Sequence, residues 1–293
     1  IFGTRDAVAN EIKEDGNSII RGAYIARTSN CISCHTDVKD ESPLLGGGRP
    51  IITKFGTFFS PNITADPNNG IGQWTLEDFR NALTQGVSPR GEHYYPVFPY
   101  TSYSAMSAAD SEDLWRYLKS VQPFKTVNRK HQIKFPFSLS LAPRLWKMAF
   151  FRFKPFEFNP EKSLRWNRGI YLVQVLGHCQ ECHSPRNFMG ALSKKTAYSG
   201  AKHPTDNGYI PNITPDPTSG IGHWDEDDIS WFLETGFLPD GDITSGVMAE
   251  IVETATSQLT TGDRQAIATF LKSLRPIKNP SLEREIENAE ENW

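Results

Sequence analysis

Apolar positions along this chain rarely alternate with polar ones over a strand's length. They recur at helical spacing in short stretches separated by long loops rich in Gly and Pro. Ile20 and Tyr24 share one face of a helix predicted over about Asn17 to Ser29. Thr75-Leu-Glu-Asp78 reads as a capping box that opens a helix to Gln85, closed by Gly86; Asp225 to Asp228 opens its counterpart, closed by Gly236. Ser107-Ala-Ala-Asp110 caps a further helix through Ser120, matched by one from Thr261 to Ser273. The predicted fold class is all-α. The longest apolar run, Phe137 to Phe151, is broken by Pro143, Arg144 and Lys147 and falls short of the ~18 residues of a membrane span.

The order of elements occurs twice. Ser60-Pro-Asn-Ile-Thr-Ala-Asp-Pro-Asn-Asn-Gly-Ile-Gly-Gln-Trp74 recurs as Ile210-Pro-Asn-Ile-Thr-Pro-Asp-Pro-Thr-Ser-Gly-Ile-Gly-His-Trp224, Arg21-Gly-Ala-Tyr24 as Arg168-Gly-Ile-Tyr171, and Tyr117-Leu-Lys-Ser120 as Phe270-Leu-Lys-Ser273. Repeats of this length predict two similar domains rather than a solenoid, in keeping with 293 residues. The expected division is an N-terminal segment 1–14, domain 1 at 15–121, a connector at 122–160, domain 2 at 161–276 and a tail at 277–293.

Each repeat holds two of the chain's four cysteines, as Cys31-Ile-Ser-Cys34-His35 and Cys179-Gln-Glu-Cys182-His183. C-x-x-C-H is the haem c attachment pattern: two thiols one helical turn apart form thioethers with the haem vinyl groups, and the histidine then sits under the iron. A zinc ribbon would need its two pairs ~15–20 residues apart, and these pairs lie 148 apart. A thioredoxin-like site calls for a preceding strand, and structural disulfides leave both histidines unexplained. Two covalent haem c groups are therefore expected, with Cys31, Cys34, Cys179 and Cys182 as attachment points and His35 and His183 on iron. Haem c is fitted outside the cytoplasm, so the expected compartment is periplasmic. The chain starts at Ile1 with no signal pattern, which reads as a processed or trimmed product; a tether to the inner membrane through a segment absent from it stays open.

A thioether from a loop before the last helix is the usual sixth ligand in class I cytochromes c. The four methionines are Met106, Met148, Met189 and Met248. Met148 and Met189 read as packing residues. Met248, in the loop from Gly241 and ahead of the last helix, is the expected ligand of the second haem. Repeat alignment puts Phe98 at the matching place in the first half, and Phe cannot bind iron. Met106, eight residues on, is favoured for the first haem, with His93 or an open sixth position as alternatives; its competing reading is a hydrophobic staple before the Ser107 cap. The repeated Asn62, Thr64 and Trp74, with Asn212, Thr214 and Trp224, read either as local packing (Trp74 on Phe79, Trp224 on Ile229) or as donors to haem propionates.

Charge is unevenly spread around a net of −3. Residues 122–165 carry ten Lys and Arg against Glu157 and Glu161, with nine Phe and Trp among them, whereas the tail is acidic. Such a connector suits an acidic partner or a membrane surface, or a strap whose rings pack while its basic stems lie over them. The acidic remainder argues against nucleic acid.

Taken together, Arg21-Gly-Ala-Tyr24, the two C-x-x-C-H motifs, Phe55-Gly-Thr, both Pro-Asn-Ile-Thr and Gly-Ile-Gly-x-Trp segments, Tyr95-Pro-Val-Phe-Pro-Tyr-Thr-Ser-Tyr103, Trp166-Asn-Arg-Gly-x-Tyr-Leu172 and Gly246-x-Met-Ala-Glu250 span nearly the whole chain. In these residues the sequence resembles the cytochrome c subunits of membrane-bound quinohaemoprotein alcohol and gluconate dehydrogenases and related stand-alone dihaem cytochromes. The resemblance implies two tandem class I cytochrome c domains and single-electron relay between a periplasmic dehydrogenase or other redox partner and a downstream carrier, without a catalytic acid, base or nucleophile. Those dehydrogenase subunits usually have a third haem domain and a C-terminal membrane helix, which the residues up to Trp293 do not show, so a two-haem carrier is the expected form. A dihaem peroxidase-like enzyme, should the first iron lack a sixth ligand, and a subunit docked permanently through its basic connector are the alternatives.

Overall fold

The computed structural model describes residues 3–37, 39–204 and 208–282, so most of the expected acidic tail lies outside it. The chain forms two compact units. Unit 1 comprises Ile1–Ile51, Phe55–Arg144 and Phe153–Phe156; unit 2 comprises Ile52–Lys54, Leu145–Arg152 and Glu157–Trp293. The connector therefore does not stand apart. Its first part, to Arg144, folds with unit 1, and Leu145–Arg152 folds with unit 2.

Unit 1 opens with α1 (Gly3–Thr28) and the short α2 (Cys31–His35). The two are separated because Asn30 takes the left-handed conformation (φ 54°), which Asn tolerates better than most residues. Then come β1 (Pro50–Thr53), β2 (Gly56–Phe59), α3 (Leu76–Gln85), α4 (Tyr100–Tyr103), α5 (Ala108–Ser120) and β3 (Gln132–Ile133). The boundaries of α3 follow the local signals: Thr75 and Asp78 form the reciprocal capping box, and Gly86 ends the helix at φ 61°. Ser107 caps α5 by accepting from the Asp110 amide. The strands were not foreseen. Connector residues supply β3, which pairs antiparallel with β2; Gly56 is required there because a Cβ would lie 2.2 Å from the Gln132 carbonyl oxygen.

The main contact of unit 1 is α1 against α5. The buried seam of α1 includes Ser18, Gly22, Ile25 and Ala26, at helical spacing. Ile20, read as sharing a face with Tyr24, is 69% exposed; the crossing is close enough that small residues line the contact. A Cβ on Gly22 would lie 2.0 Å from the Asp113 carbonyl oxygen. Beside it the Arg21 guanidinium donates from two nitrogens to Asp113 (2.5 and 3.0 Å), and the Ser18 hydroxyl donates to the same carboxylate.

Unit 2 repeats this plan. After α6 (Ala142–Phe150) come α7 (Leu164–Tyr171), one π-helical turn (Leu172–Leu176), α8 (Gln180–His183), the hairpin of β4 (Ala201–Lys202) and β5 (Tyr209–Ile210), then α9 (Glu226–Thr235), α10 (Gly246–Thr254) and α11 (Thr261–Lys272). Asp225 and Asp228 form the second capping box, and Gly236 closes α9 at φ 78°. The α7–α11 crossing uses the same chemistry as α1–α5. A Cβ on Gly169 would meet the Ala266 carbonyl oxygen at 2.0 Å, and Arg168 donates twice to Asp263 (2.9 and 2.7 Å). Arg-Gly-x-Tyr is thus a helix-crossing device, a role that its repetition alone did not disclose. Among the described residues no helix is long and apolar enough to cross a membrane.

Candidate haem sites

Each Cys-x-x-Cys-His segment is one short helical turn set after a sharp break in the preceding helix. His178 takes positive φ (37°) directly before Cys179, as Asn30 does before Cys31. Cys31, Cys34 and Cys179 are half-buried and Cys182 is exposed. Local burial, reinforced by the neighbouring thiol, pushes Cys31 and Cys179 each up to about 12, so these thiols are protonated at neutral pH.

The two histidines are held alike. His35 Nδ1 lies 2.8 Å from the Pro61 carbonyl oxygen, and His183 Nδ1 lies 2.8 Å from that of Pro211. A carbonyl only accepts, so Nδ1 carries the proton and Nε2 keeps its lone pair. Burial lowers the pKa of both rings against the opposing pull of that carbonyl, favouring the neutral form. The backbone brings the partners together: the Gly47 amide donates to the His35 carbonyl (2.7 Å) and the Gly200 amide to that of His183 (2.9 Å). Gly47 stands at φ 77°, and a Cβ there would lie 2.4 Å from the Pro61 carbonyl carbon. Arg49 further ties unit 1's motif, donating to the Ser33 carbonyl at 2.6 Å. The proline acceptors and Arg49 were not read from the sequence, since a carbonyl acceptor leaves no residue-type signature. A neutral imidazole fixed through Nδ1 beside two paired thiols is the donor set that covalent haem requires. When bound there, the haem iron supplies one-electron chemistry between its ferric and ferrous states.

The Pro-Asn-Ile-Thr segments do more than hold histidine. Asn62 Nδ2 donates to the carbonyls of Phe124 (2.7 Å) and Thr126 (3.3 Å), while its Oδ1 accepts from the Thr64 amide (2.9 Å) and hydroxyl (2.7 Å). Thr64 Oγ1 in turn accepts from the Phe124 amide (3.2 Å). In unit 2, Asn212 Nδ2 donates to the Ile277 carbonyl (2.8 Å), Thr214 donates its hydroxyl to Asn212 Oδ1 (2.7 Å), and the Ile277 amide donates to Thr214 Oγ1 (3.2 Å). Asn62, Thr64, Asn212 and Thr214 are all buried. Their polar atoms therefore clamp the chain as it leaves the last helix of each unit. Trp74 and Trp224 are half-buried. Trp224 packs on Phe232 with ring centroids 5.4 Å apart, and Phe79 packs on Trp115 at 5.2 Å.

The expected distal residues fall on different kinds of element. Met248, half-buried, lies in the first turn of α10 rather than in a loop. Phe98 lies just before α4 and packs on Tyr94 (5.7 Å) and Tyr103 (5.8 Å). Met106 is buried immediately before the Ser107 cap of α5.

Comparison with known proteins agrees with a two-haem arrangement. The chain is 41% identical over 264 residues to a diheme cytochrome c-type protein of Cereibacter sphaeroides, covering 88% of this chain and 86% of that one. The chain belongs to the dihaem c-type cytochromes. The cofactor of this family is two haem c groups bound covalently, and the residues described above fit it. Two further relatives of the cytochrome are the fructose dehydrogenase cytochrome subunit of Gluconobacter japonicus, 38% identical over 90% of this chain, and the gluconate 2-dehydrogenase cytochrome c subunit of Pantoea cypripedii, 35% identical over 94%. The cytochrome spans only 54% and 64% of those subunits. No family model matches the chain.

Proposed function

We propose that this cytochrome relays single electrons outside the cytoplasm, in the periplasm, between a dehydrogenase or similar redox donor and a downstream carrier. Residues 15–121 and 161–276 act as tandem class I cytochrome c domains, and 122–160 as the connector. Cys31 with Cys34, and Cys179 with Cys182, form the thioethers; His35 and His183 are the proximal ligands, and Met248 the distal ligand in unit 2. The indoles of Trp74 and Trp224 are the haem-edge candidates. The observation that carries this reading is the duplicated Nδ1-to-proline contact, which orients both imidazoles and leaves Nε2 of each free of that bond. The chain's task in such a relay is to hold the ligand geometry fixed, because a rigid site loses little free energy to reorganisation when its charge changes.

The names of the relatives favour a dehydrogenase as the donor, reached either transiently or as a docked subunit. Basic, aromatic residues 122–165 are the proposed contact, toward an acidic partner or a membrane surface. Intact mass after acidified organic extraction tests the cofactor reading: two haem additions are expected, and one addition or bound zinc refutes it. Stopped-flow reduction by a dehydrogenase across a salt series tests the relay; a rate indifferent to salt would remove the basic contact from it.

A further inference from the structure

Four large apolar side chains of unit 2 are exposed close together in sequence: Trp231 (56%), Phe237 (44%), Ile243 (57%) and Val247 (56%). Trp231 lies on α9 opposite the buried face of Ile229 and Leu233. Thr235, one turn on, donates its hydroxyl to the Trp231 carbonyl (2.8 Å) and accepts from the Phe237 amide (3.2 Å), so the chain leaves α9 on the side of Trp231. Phe237 then pairs with Ile243 across a tight loop. The loop is closed by the Thr244 amide donating to the Gly236 carbonyl and the Leu238 amide to that of Asp242, both at 2.8 Å. A Cβ on Gly236 would meet Thr244 and Val252. That pair therefore faces the fold, and the Phe237–Ile243 pair faces away from it. Val247 directly precedes Met248 in the first turn of α10.

The fold does not require these residues. Unit 1 has the same loop: Gly86 ends α3 at positive φ, Val87 pairs with His93, and the Tyr94 amide donates to the Gly86 carbonyl (2.9 Å). Up to that bond the two backbones correspond at a constant offset, and Trp231, Phe237 and Ile243 stand where unit 1 has Asn81, Val87 and His93. Asn81 is exposed and polar, as suits a surface position, and Val87 and His93 are half-buried. Aromatic side chains held in water by one unit and not by the other mark a contact surface.

Charge identifies what covers it. Residues 224–263 carry ten Asp and Glu and no Lys or Arg, whereas 74–113 carry six against Arg80 and Arg90. Glu234 and Asp263 are engaged by Arg264 and Arg168. Asp227, one turn before Trp231, and Asp240 and Asp242 at the loop tip are exposed. Such a rim repels anionic lipid. The apolar side chains offer a few hundred Å², short of the ~800 Å² per partner of a stable interface and suited to the smaller, brief encounters of redox proteins.

We propose that this face of unit 2 docks a basic redox protein, whose Lys and Arg meet the acidic rim while its apolar centre covers Trp231 and Phe237. One electron then leaves the second haem, which passes from ferrous to ferric, and reduces the oxidised carrier. The proposal rests on the relay reading above and gives the downstream carrier its chemistry.

The test is stopped-flow oxidation of the reduced dihaem holoprotein by a lysine-rich single-haem cytochrome c, with an acidic one of similar potential for comparison. At low salt the second-order rate to the lysine-rich carrier should exceed that to the acidic one by about tenfold or more, and the two should converge at high salt. Trp231→Asn, which installs the residue unit 1 carries, should cut the rate about tenfold at either salt concentration and leave both haem spectra and potentials unchanged. Asp240→Lys with Asp242→Lys should cut it about tenfold at low salt only. Glu77→Lys with Glu92→Lys, in unit 1, alters net charge equally and should leave the rate within about twofold; an equal fall there would make net charge the cause and overturn the proposal. Equal rates to the two carriers, or unit 2 variants that react like the unmodified protein, overturn the proposal and leave the relay standing. No electron transfer to either carrier overturns the relay reading itself. Salt-sensitive dimers in sedimentation velocity, dispersed by Trp231→Asn, would assign the face to a second copy of this chain and likewise overturn the proposal.

Discussion

Gly22→Ala is a direct test of how the helix crossing positions the first haem motif. The added Cβ would lie 2.0 Å from the Asp113 carbonyl oxygen, 2.7 Å from its carbon and 2.7 Å from Tyr117 Cβ. Two of these three atoms are backbone of the facing helix, so no side-chain rotation relieves the clash. Ordinary contact would need α1 and α5 to separate by more than an ångström, stretching the Arg21 and Ser18 bonds to Asp113. Overpacking of this kind costs about 1–3 kcal/mol, sometimes more, and the gain in helix propensity from replacing Gly returns about 1 kcal/mol. With two backbone atoms in the clash the upper part of that range applies, about 2–3 kcal/mol, so the net expectation is a loss of about 1–2 kcal/mol in the stability of unit 1. Gly16→Ala is the control: it lies on the same helix with nothing within 4 Å of its Cβ position, and should be stabilising by about 0.5–1 kcal/mol. Urea unfolding of the holoprotein, followed by far-UV circular dichroism and by the Soret band, measures both. The chain has two units, so midpoint shifts are read for each transition rather than from one fitted curve. If Gly22→Ala unfolds at the same urea concentration as the unmodified protein, or higher, the close-crossing argument is refuted.

Three further outcomes are expected. Asn62→Ala or Asn212→Ala removes a buried residue and leaves the Thr64 or Thr214 hydroxyl and the facing carbonyls unsatisfied, at about 1–3 kcal/mol per stranded group; limited proteolysis should then cut first near Phe124 or Ile277, and an unchanged digestion pattern would count against the clamp. Met248→Ala should lower the potential of one haem in a spectroelectrochemical titration, because the thioether favours ferrous iron; two unchanged potentials would rule it out as the ligand. Burial pushes the Asp113 carboxyl up, but the Arg21 and Ser18 bonds outweigh this and hold it below its ordinary value. A depressed carboxylate contributes stability that is fully present above its unfolded pKa of about 4 and is lost as pH falls through the folded value. Asp113→Asn should therefore be less stable at neutral pH and less sensitive to acid below about pH 4, and an acid transition parallel to that of the unmodified protein would contradict this.

What the sequence determined by itself was local. Thr75, Asp78, Gly86, Ser107, Asp225 and Gly236 bound their helices as read, because a cap is satisfied by an amide three residues away and needs no tertiary partner. The Cys-x-x-Cys-His spacing was equally legible, since one helical turn sets the distance between the thiols. The duplication was visible because both halves keep the same residues at nearly constant offsets. Tertiary structure decided the rest. That Gly22 and Gly169 exist to let a facing carbonyl approach, that Pro61 and Pro211 lend a carbonyl to each histidine, and that Asn62 and Asn212 clamp the chain after the last helix are all contacts across 26 to 97 residues. Ile20 shows the same limit: its apolarity says nothing of the close crossing, which puts small residues in the seam and leaves Ile20 exposed. The strand pairing of Gly56 with a connector residue could not be foreseen from two short segments with no alternation. Periodicity and capping are properties of one segment, whereas these contacts depend on which distant backbone the fold brings alongside.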